Sequence, residues 1–386
     1  MARHLLVTND YPPKTGGIQT YLHELWRRLE SGRAVVLTAS SHEGAGAFDS
    51  LSDVVIERVP ASTLFFPSWR AYRAIEAAIA RHQPELVLLD PAWPLGLLGP
   101  RLSRPFGVVL HGAEVTIPSR LPLVASSLRY VLRRARVAIC AGAFPEREAR
   151  RNAAEYLCPV IQIPPGTDTS VYHPLSRDER REVRRALGFV EDDFVIASWS
   201  RLVPRKGFDT LIRASAQLRE SHPTLRVAIG GKGRDRARLE KLATRLNAPV
   251  TFLGYVPDAE QSRWVGACDL MVMDCRSRWG GWEQEGFGIV FIEAAAAGLM
   301  PVAGRSGGSQ DAVHDGRTGV VIDNPRSVNE LAGVIATLMG DDDLRDRLAR
   351  YALEVARDRF DWNRLAAELS RQLDRYDRGR RAEHVA

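Results

Sequence analysis

Apolar positions along this chain alternate between short unbroken runs and a repeat of three to four residues, the signatures of buried strands and one-sided helices. Residues 3–8, RHLLVT, predict a buried first strand, and the NDYPPKTGG that follows is turn chemistry. Ile18, Tyr21, Leu22, Leu25, Trp26 and Leu29 then recur at helical spacing. Strand, Gly-rich loop and amphipathic helix open a Rossmann-like unit. Further strands are predicted at AVVLT (34–38), DVVIERV (53–59), ELVLLD (85–90), FGVVLHG (106–112), VAICAG (137–142) and VIQIP (160–164). Helical patterns separate most of them, which predicts a parallel, doubly wound sheet.

The proline-rich PPGTDTSVYHP, 164–174, reads as a linker. Beyond it a second alternating series begins: DFVIASWSRL, GFDTLIRASAQL, TLRVAIGGKG, ARLEKLATRL, VTFLGYV and CDLMVMD. A chain of 386 residues is long for one core, so two Rossmann-like α/β domains are expected, at 1–168 and 175–363.

One stretch departs from this alternation. Phe287 to Gly298 carries a single charge, Glu293, among Phe, Ile, Val and Ala, and so predicts a buried helix. A carboxylate there needs a cation, a fixed donor or a ligand. Glu285 stands eight residues earlier, roughly 80° out of register on a common helix, and Gly286 and Gly288 delay the helix start. Glu285 is therefore expected on the entering loop. A buried helix with one internally paired Glu is the plain alternative.

Composition adds a basic excess. The formal net charge is +6, with 45% hydrophobic and 26% charged residues. Lysine occurs only at 14, 206, 232 and 241, and three of the four stand beside glycines, in PPKTGG, PRKG and GGKG. Backbone could approach phosphate closely at such places, although each also suits a tight turn. No aromatic-basic ladder marks a nucleic-acid surface, so phosphorylated ligands or an anionic membrane suit the charge better. Cys140, Cys158, Cys268 and Cys275 form no CxxC pair or metal spacing, which predicts reduced thiols. The opening MARHLLVTND lacks the pattern of a signal peptide, and no segment is long and uncharged enough to span a bilayer. A cytoplasmic protein, soluble or peripheral, is expected. The first loop lacks GxGxxG, so a dinucleotide fingerprint is not supported.

The paired glutamates in E-G-F-G-I-V-F-I-E, with Ser306, Gly307 and Gly308 downstream, resemble the donor-sugar site of retaining GT-B glycosyltransferases. Together with LVTNDYPPKTGGIQTYL and SRLVPRKGFDTLI, they are most similar to the bacterial phosphatidylinositol mannosyltransferases of glycosyltransferase family 4. The resemblance implies two Rossmann-like domains facing a cleft: an N-terminal acceptor domain at 1–168, completed by a C-terminal helix at about 364–386, and a C-terminal nucleotide-sugar-binding domain at 175–363. It implies that Glu285 holds sugar hydroxyls and Glu293 the nucleotide ribose. Phe287, Gly288 and Ile289 would offer helix N-terminal N–H groups to the diphosphate. Arg201 and Lys206 would form a diphosphate clamp, where an Arg and a Lys in one loop otherwise read as a solvated face. Gly16 and Gly17 would face the donor phosphates, Gly231 the nucleotide, and Val256 the base. His111 would contact the sugar near the reacting carbon, where a lone His is otherwise a polar cap.

No metal or other cofactor is implied, and no protein partner is evident. The expected reaction is mannose transfer from GDP-mannose to a lipid-linked phosphatidylinositol mannoside. The alternatives are a soluble acceptor or a non-catalytic nucleotide-sugar-binding protein. Asp311 and the HGAE segment depart from the family pattern, as does the lead-in RSRWGGWEQ. Residues 68–82 place Trp69, Tyr72, Ile75 and Ile79 on one helical face near Arg70, Arg73 and Arg81. That face suits either an anionic membrane or packing on the first sheet.

Overall fold

A computed structural model describes residues 3–40, 43–61 and 63–377. The chain divides into two compact units, residues 1–165 joined by 362–386, and residues 166–361. Residues 378–386, the end of the expected C-terminal helix, lie outside the described residues.

The first unit is built on seven parallel strands: β1 (His4–Thr8), β2 (Ala34–Ala39), β3 (Val55–Val59), β4 (Leu86–Asp90), β5 (Phe106–Leu110), β6 (Ala138–Cys140) and β7 (Val160–Gln162). Their order is β3-β2-β1-β4-β5-β6-β7. The order in which strands are added reverses between β1 and β4, the switch point where open α/β sheets leave a crevice. β1, β4 and β5 are buried along their whole length, which is why they read as unbroken apolar runs. The helix Trp362–Asp377 belongs to this unit. Its Trp362, Leu365, Leu369 and Leu373 share a core with Tyr21, Leu22, Leu25 and Trp26 of the helix Gly17–Trp26. Fully burying each such leucine contributes about 1.5–3 kcal/mol.

The helix Trp69–His82 settles one alternative. Ile75 and Ile79 are buried in the sheet's core, and Tyr72 packs partly against it, so these three do not form a lipid face. Arg81 is held by Glu57. Of the predicted apolar stripe, only Trp69 at the start of the helix is open, 70% exposed and stacked on Tyr72.

The second unit carries six parallel strands: β8 (Phe194–Trp199), β9 (Leu225–Gly230), β10 (Val250–Gly254), β11 (Leu270–Met273), β12 (Met300–Gly304) and β13 (Val320–Ile322). Their order, β10-β9-β8-β11-β12-β13, puts the switch point between β8 and β11. β12 and β13 were not anticipated in the sequence. β12 is only MPVAG, and Pro301 inside it removes a ladder donor, a composition that argues against a strand. Its five residues are nonetheless all buried, between β11 and β13.

Candidate functional site

In the second unit the chemistry collects at the carboxyl ends of β8 and β11. After β8 the chain makes a 3-10 turn, Pro204–Lys206, and closes it at Gly207 in the left-handed region (φ +74°). A Cβ at Gly207 would lie 1.9 Å from the carbonyl oxygen of Asp274, just beyond β11. Glycine is required there twice over, by torsion and by contact. The two loops are thereby pressed together, and Arg205 and Lys206 reach across to Glu285. Arg205 Nη1 lies 2.6 Å and Lys206 Nζ 2.7 Å from Glu285 Oε2.

The Ser-Gly-Gly downstream supports the same carboxylate. The Glu285 N–H donates to Ser306 Oγ (3.2 Å), and its carbonyl accepts from the Gly308 N–H (2.8 Å). A Cβ at Gly307 would stand 2.2 Å from that carbonyl oxygen, and one at Gly308 1.9 Å from the carbonyl of Gly286. These glycines are there because backbone passes directly over the loop that carries Glu285.

Burial alone would raise the Glu285 pKa, but Lys206 and Arg205 outweigh it and hold the group at about 2. Lys206 is depressed from the ordinary lysine value by burial and by Arg205, with Glu285 opposing. The result is a fixed, water-poor anion beside two cations. It can accept hydrogen bonds from hydroxyls while the cations face phosphate oxygens.

The helix Ile289–Ala296 starts where expected, with Gly288 as N-cap at φ +92°. Its first turn carries N–H groups without an intrahelical acceptor, and Phe287, Gly288 and Ile289 lie at that end. Glu293 is half-buried, and Trp199 Nε1 donates to its Oε2 at 3.2 Å. That indole is the fixed donor the sequence argument required. Trp199 ends β8 and packs edge-on against Trp264.

Arg201 is exposed at the start of the same loop, apart from the Glu285 cluster. Arg205 is the cation that sequence reasoning passed over for the pairing. Its only signal was adjacency to Lys206. The GGKG turn has a structural cause. A Cβ at Gly231 (φ +120°) would lie 2.0 Å from the Ser200 carbonyl oxygen, and one at Gly233 2.2 Å from that of Leu202. Lys232 rests on the Tyr255 ring at 4.8 Å, beside the half-buried Val256.

The first unit gathers a second cluster at its own switch point. Thr8 Oγ1 donates to Asp90 Oδ2 (2.5 Å), and Asp90 Oδ1 is 2.9 Å from His111 Nε2. These residues end β1 and β4 and follow β5. Burial disfavours the His111 cation, but Asp90, helped by Glu114 and Asp10, holds its pKa above the ordinary histidine value. Tyr21 packs edge-on to the imidazole at 5.4 Å and donates its hydroxyl to the Ile163 carbonyl (2.8 Å). Glu114, in HGAE, accepts from the His111 and Gly112 N–H groups. Asp90 was missed in the sequence, where it reads as the end of a strand. Gly16, an N-cap at φ +155°, and Gly17 begin the helix whose Gln19 Nε2 donates to Asp10 Oδ1 (2.6 Å). A Cβ at Gly16 would meet Gln19 Oε1 at 2.4 Å.

Asp274 is the other buried carboxyl beside the Glu285 loop, 1% exposed. Burial pushes it up to about 8, against the pull of Arg276 and Thr210. Its folded pKa exceeds its unfolded value, so its contribution is fully present below about pH 4 and lost as pH rises toward 8. Each pH unit in that window removes about 1.4 kcal/mol. Asp274→Asn should therefore raise Tm by an amount that grows from pH 5 to pH 8, read by thermal scans. A pH-independent difference would contradict this.

Residues 15–171 match the family model described as Glycosyltransferase Family 4, and residues 179–355 match Glycosyl transferases group 1. A GDP-mannose-dependent alpha-(1-6)-phosphatidylinositol monomannoside mannosyltransferase of Mycobacterium tuberculosis is 37% identical, over 96% of this chain and 97% of its own length. The GDP-mannose-dependent monoacylated alpha-(1-6)-phosphatidylinositol monomannoside mannosyltransferase of Corynebacterium glutamicum is 33% identical over 93% and 94%. Among solved structures, Anabaena HepE in complex with UDP superposes with a TM-score of 0.80 at 23% identity, covering 97% of this chain and 100% of that one. Sucrose-phosphate synthase of Thermosynechococcus elongatus gives 0.78 at 20% identity, over 97% and 98%. These two structures bear on the fold alone.

Proposed function

This chain belongs to the GT-B glycosyltransferases, alongside the phosphatidylinositol monomannoside mannosyltransferases that it matches over nearly its full length, and from that premise we propose its reaction. It is a GDP-mannose-dependent mannosyltransferase that adds mannose to a phosphatidylinositol mannoside. The observation that carries the reading is 37% identity across both units, with the Glu285, Lys206 and Arg205 cluster formed in the second.

The chemistry assigned to the residues follows from their charge and setting. Transfer breaks the bond between mannose and GDP, so negative charge grows on the departing diphosphate. Lys206, Arg201 and the N-terminus of the helix Ile289–Ala296 stabilise that charge, without a divalent ion. Glu285 accepts hydrogen bonds from the sugar hydroxyls, and Glu293 from the ribose. His111, oriented by Asp90, takes the contact near the reacting carbon that the resemblance implies. The stereochemistry at that carbon is retained.

The acceptor is a lipid, so the enzyme is assigned to the cytoplasmic face of a membrane as a peripheral protein. Phe66 and Trp69 are 62% and 70% exposed, and Leu123 is 90% exposed. Arg70 and Arg73 are exposed beside Trp69, and Arg133 and Arg134 end the helix Pro122–Arg134. Each basic residue near an anionic surface contributes about 1 kcal/mol, screened by salt.

The test uses the purified chain, labelled GDP-mannose and phosphatidylinositol monomannoside in liposomes, with EDTA throughout. A labelled lipid product is expected, together with flotation at low salt that weakens when Arg70 and Arg73 become Ser. Activity that needs Mn²⁺ or Mg²⁺ would overturn the metal-free step. Transfer confined to water-soluble acceptors, with no flotation, would overturn the lipid reading. Stabilisation by GDP-mannose without turnover would make the chain a binding protein instead.

A further inference from the structure

The segment RSRWGGWEQ forms a small hairpin immediately before Glu285. Arg278 and Glu283 pair through their backbones (Arg278 N to Glu283 O, 2.9 Å) and through their side chains (2.8 Å). Between them the tip holds Trp279 and Trp282, which are 66% and 40% exposed. Gly280 and Gly281 turn the chain at φ +62° and +86°, and Trp279 itself sits at φ +50°, a conformation that a bulky L side chain disfavours. The guanidinium of Arg278 covers one face of the Trp279 indole, 4.4 Å from its centre. About two-thirds of the residue remains open to solvent.

The base of this hairpin is tied to the carboxylate loop. Gln284 Nε2 donates to the Gly281 carbonyl (2.8 Å), and Ser277 Oγ donates to Gln284 Oε1 (3.4 Å). Ser277 Oγ also lies 3.3 Å from Ser306 Oγ, which accepts from the Glu285 N–H. A ring lying on Trp279 would therefore be held in one frame with Glu285.

Charge decides what that ring is. Every charged group of the segment is already paired: Arg276 with Asp209, Arg278 with Glu283, and Glu285 with Lys206 and Arg205. The hairpin presents no free cation to an anionic bilayer or a phosphate. It offers one flat, electron-rich indole face, which attracts the weakly positive C–H face of a neutral polyol ring.

We propose that Trp279, supported by Trp282, is a specificity-determining platform on which the acceptor's hexose or inositol ring stacks, so that the attacking hydroxyl is presented toward the sugar held at Glu285. The inference rests on the mannosyltransferase reading above. The binding contact itself is tested apart from that reaction.

The experiment compares the full chain with Trp279→Ala and Trp279→Phe. In transfer assays Trp279→Ala is expected to raise the acceptor KM at least tenfold while the KM for GDP-mannose stays within twofold. Trp279→Phe should recover most of the loss. An acceptor KM within twofold of the parent, or a loss confined to GDP-mannose, would overturn the proposal. Loss of liposome flotation with an unchanged KM for a water-soluble acceptor would overturn it in favour of a lipid contact. If the parent chain transfers no mannose, the mannosyltransferase reading falls, and stacking is read by intrinsic fluorescence. Titration with deacylated phosphatidylinositol monomannoside should quench the parent and not Trp279→Ala. Equal curves for the two would overturn the platform.

Discussion

Glu285→Gln is expected to lower turnover by on the order of a thousandfold, the upper range for one charged contact in a preorganised site. The change also leaves Lys206 and Arg205 buried with no anion between them, and breaking a buried pair from one side typically destabilises by about 3–5 kcal/mol. Both effects should therefore appear together, as lower kcat and lower Tm. Their pH dependence can be assigned. The Glu285 pKa is depressed to about 2, so its stabilising contribution is present above the unfolded carboxyl value of about 4.5 and is lost as pH falls toward 2. The Tm gap between the parent and Glu285→Gln should thus be full at pH 7 and narrow below about pH 4.5. Turnover within threefold of the parent, with GDP-mannose saturating, would remove Glu285 from the reacting sugar.

Lys206→Met is the second large effect and separates the cation from the anion. Arg205 still faces Glu285 at 2.6 Å, so folding should suffer less than in Glu285→Gln. The departing diphosphate loses a positive partner, and a fall in turnover of about a hundredfold is expected. The pH profile carries a further check. Burial and Arg205 lower the Lys206 pKa, so its charge, and with it the activity, should be lost on the alkaline side below the ordinary lysine value. Lys206→Arg, which stays protonated, should extend activity to higher pH. An alkaline limb that is identical in the parent and Lys206→Arg would show that another group titrates there.

Much of the architecture was legible without coordinates, because its signals are local. The runs that became β1, β4 and β5 are apolar at every position since helices cover both faces of a parallel sheet, and that burial is written into consecutive residues. The helix Ile289–Ala296, with Gly288 as its N-cap and Glu285 outside it, was likewise predictable from glycine placement and a single charge in an apolar stretch. Family motifs carried the rest of the functional reading, since they mark residues without saying what holds them.

What the sequence could not decide were the partners of those residues. A linear reading picks Arg201 and Lys206 and offers Arg205 only as a neighbour. Only the close approach of the loops after β8 and β11, jammed at Gly207, selects Arg205 and Lys206 for Glu285. Trp199 as the donor to Glu293, and Asp90 as the orienting acid for His111, are separated from their partners by 94 and 21 residues. The same holds for the helix Trp69–His82, whose stripe suited lipid or core equally until the sheet claimed Ile75 and Ile79. Periodicity and capping depend on neighbours a few residues apart and so survive in a linear string. Charge pairing and burial depend on distances through space, and these exist only once parallel strands, connected through distant crossovers, bring their carboxyl ends side by side.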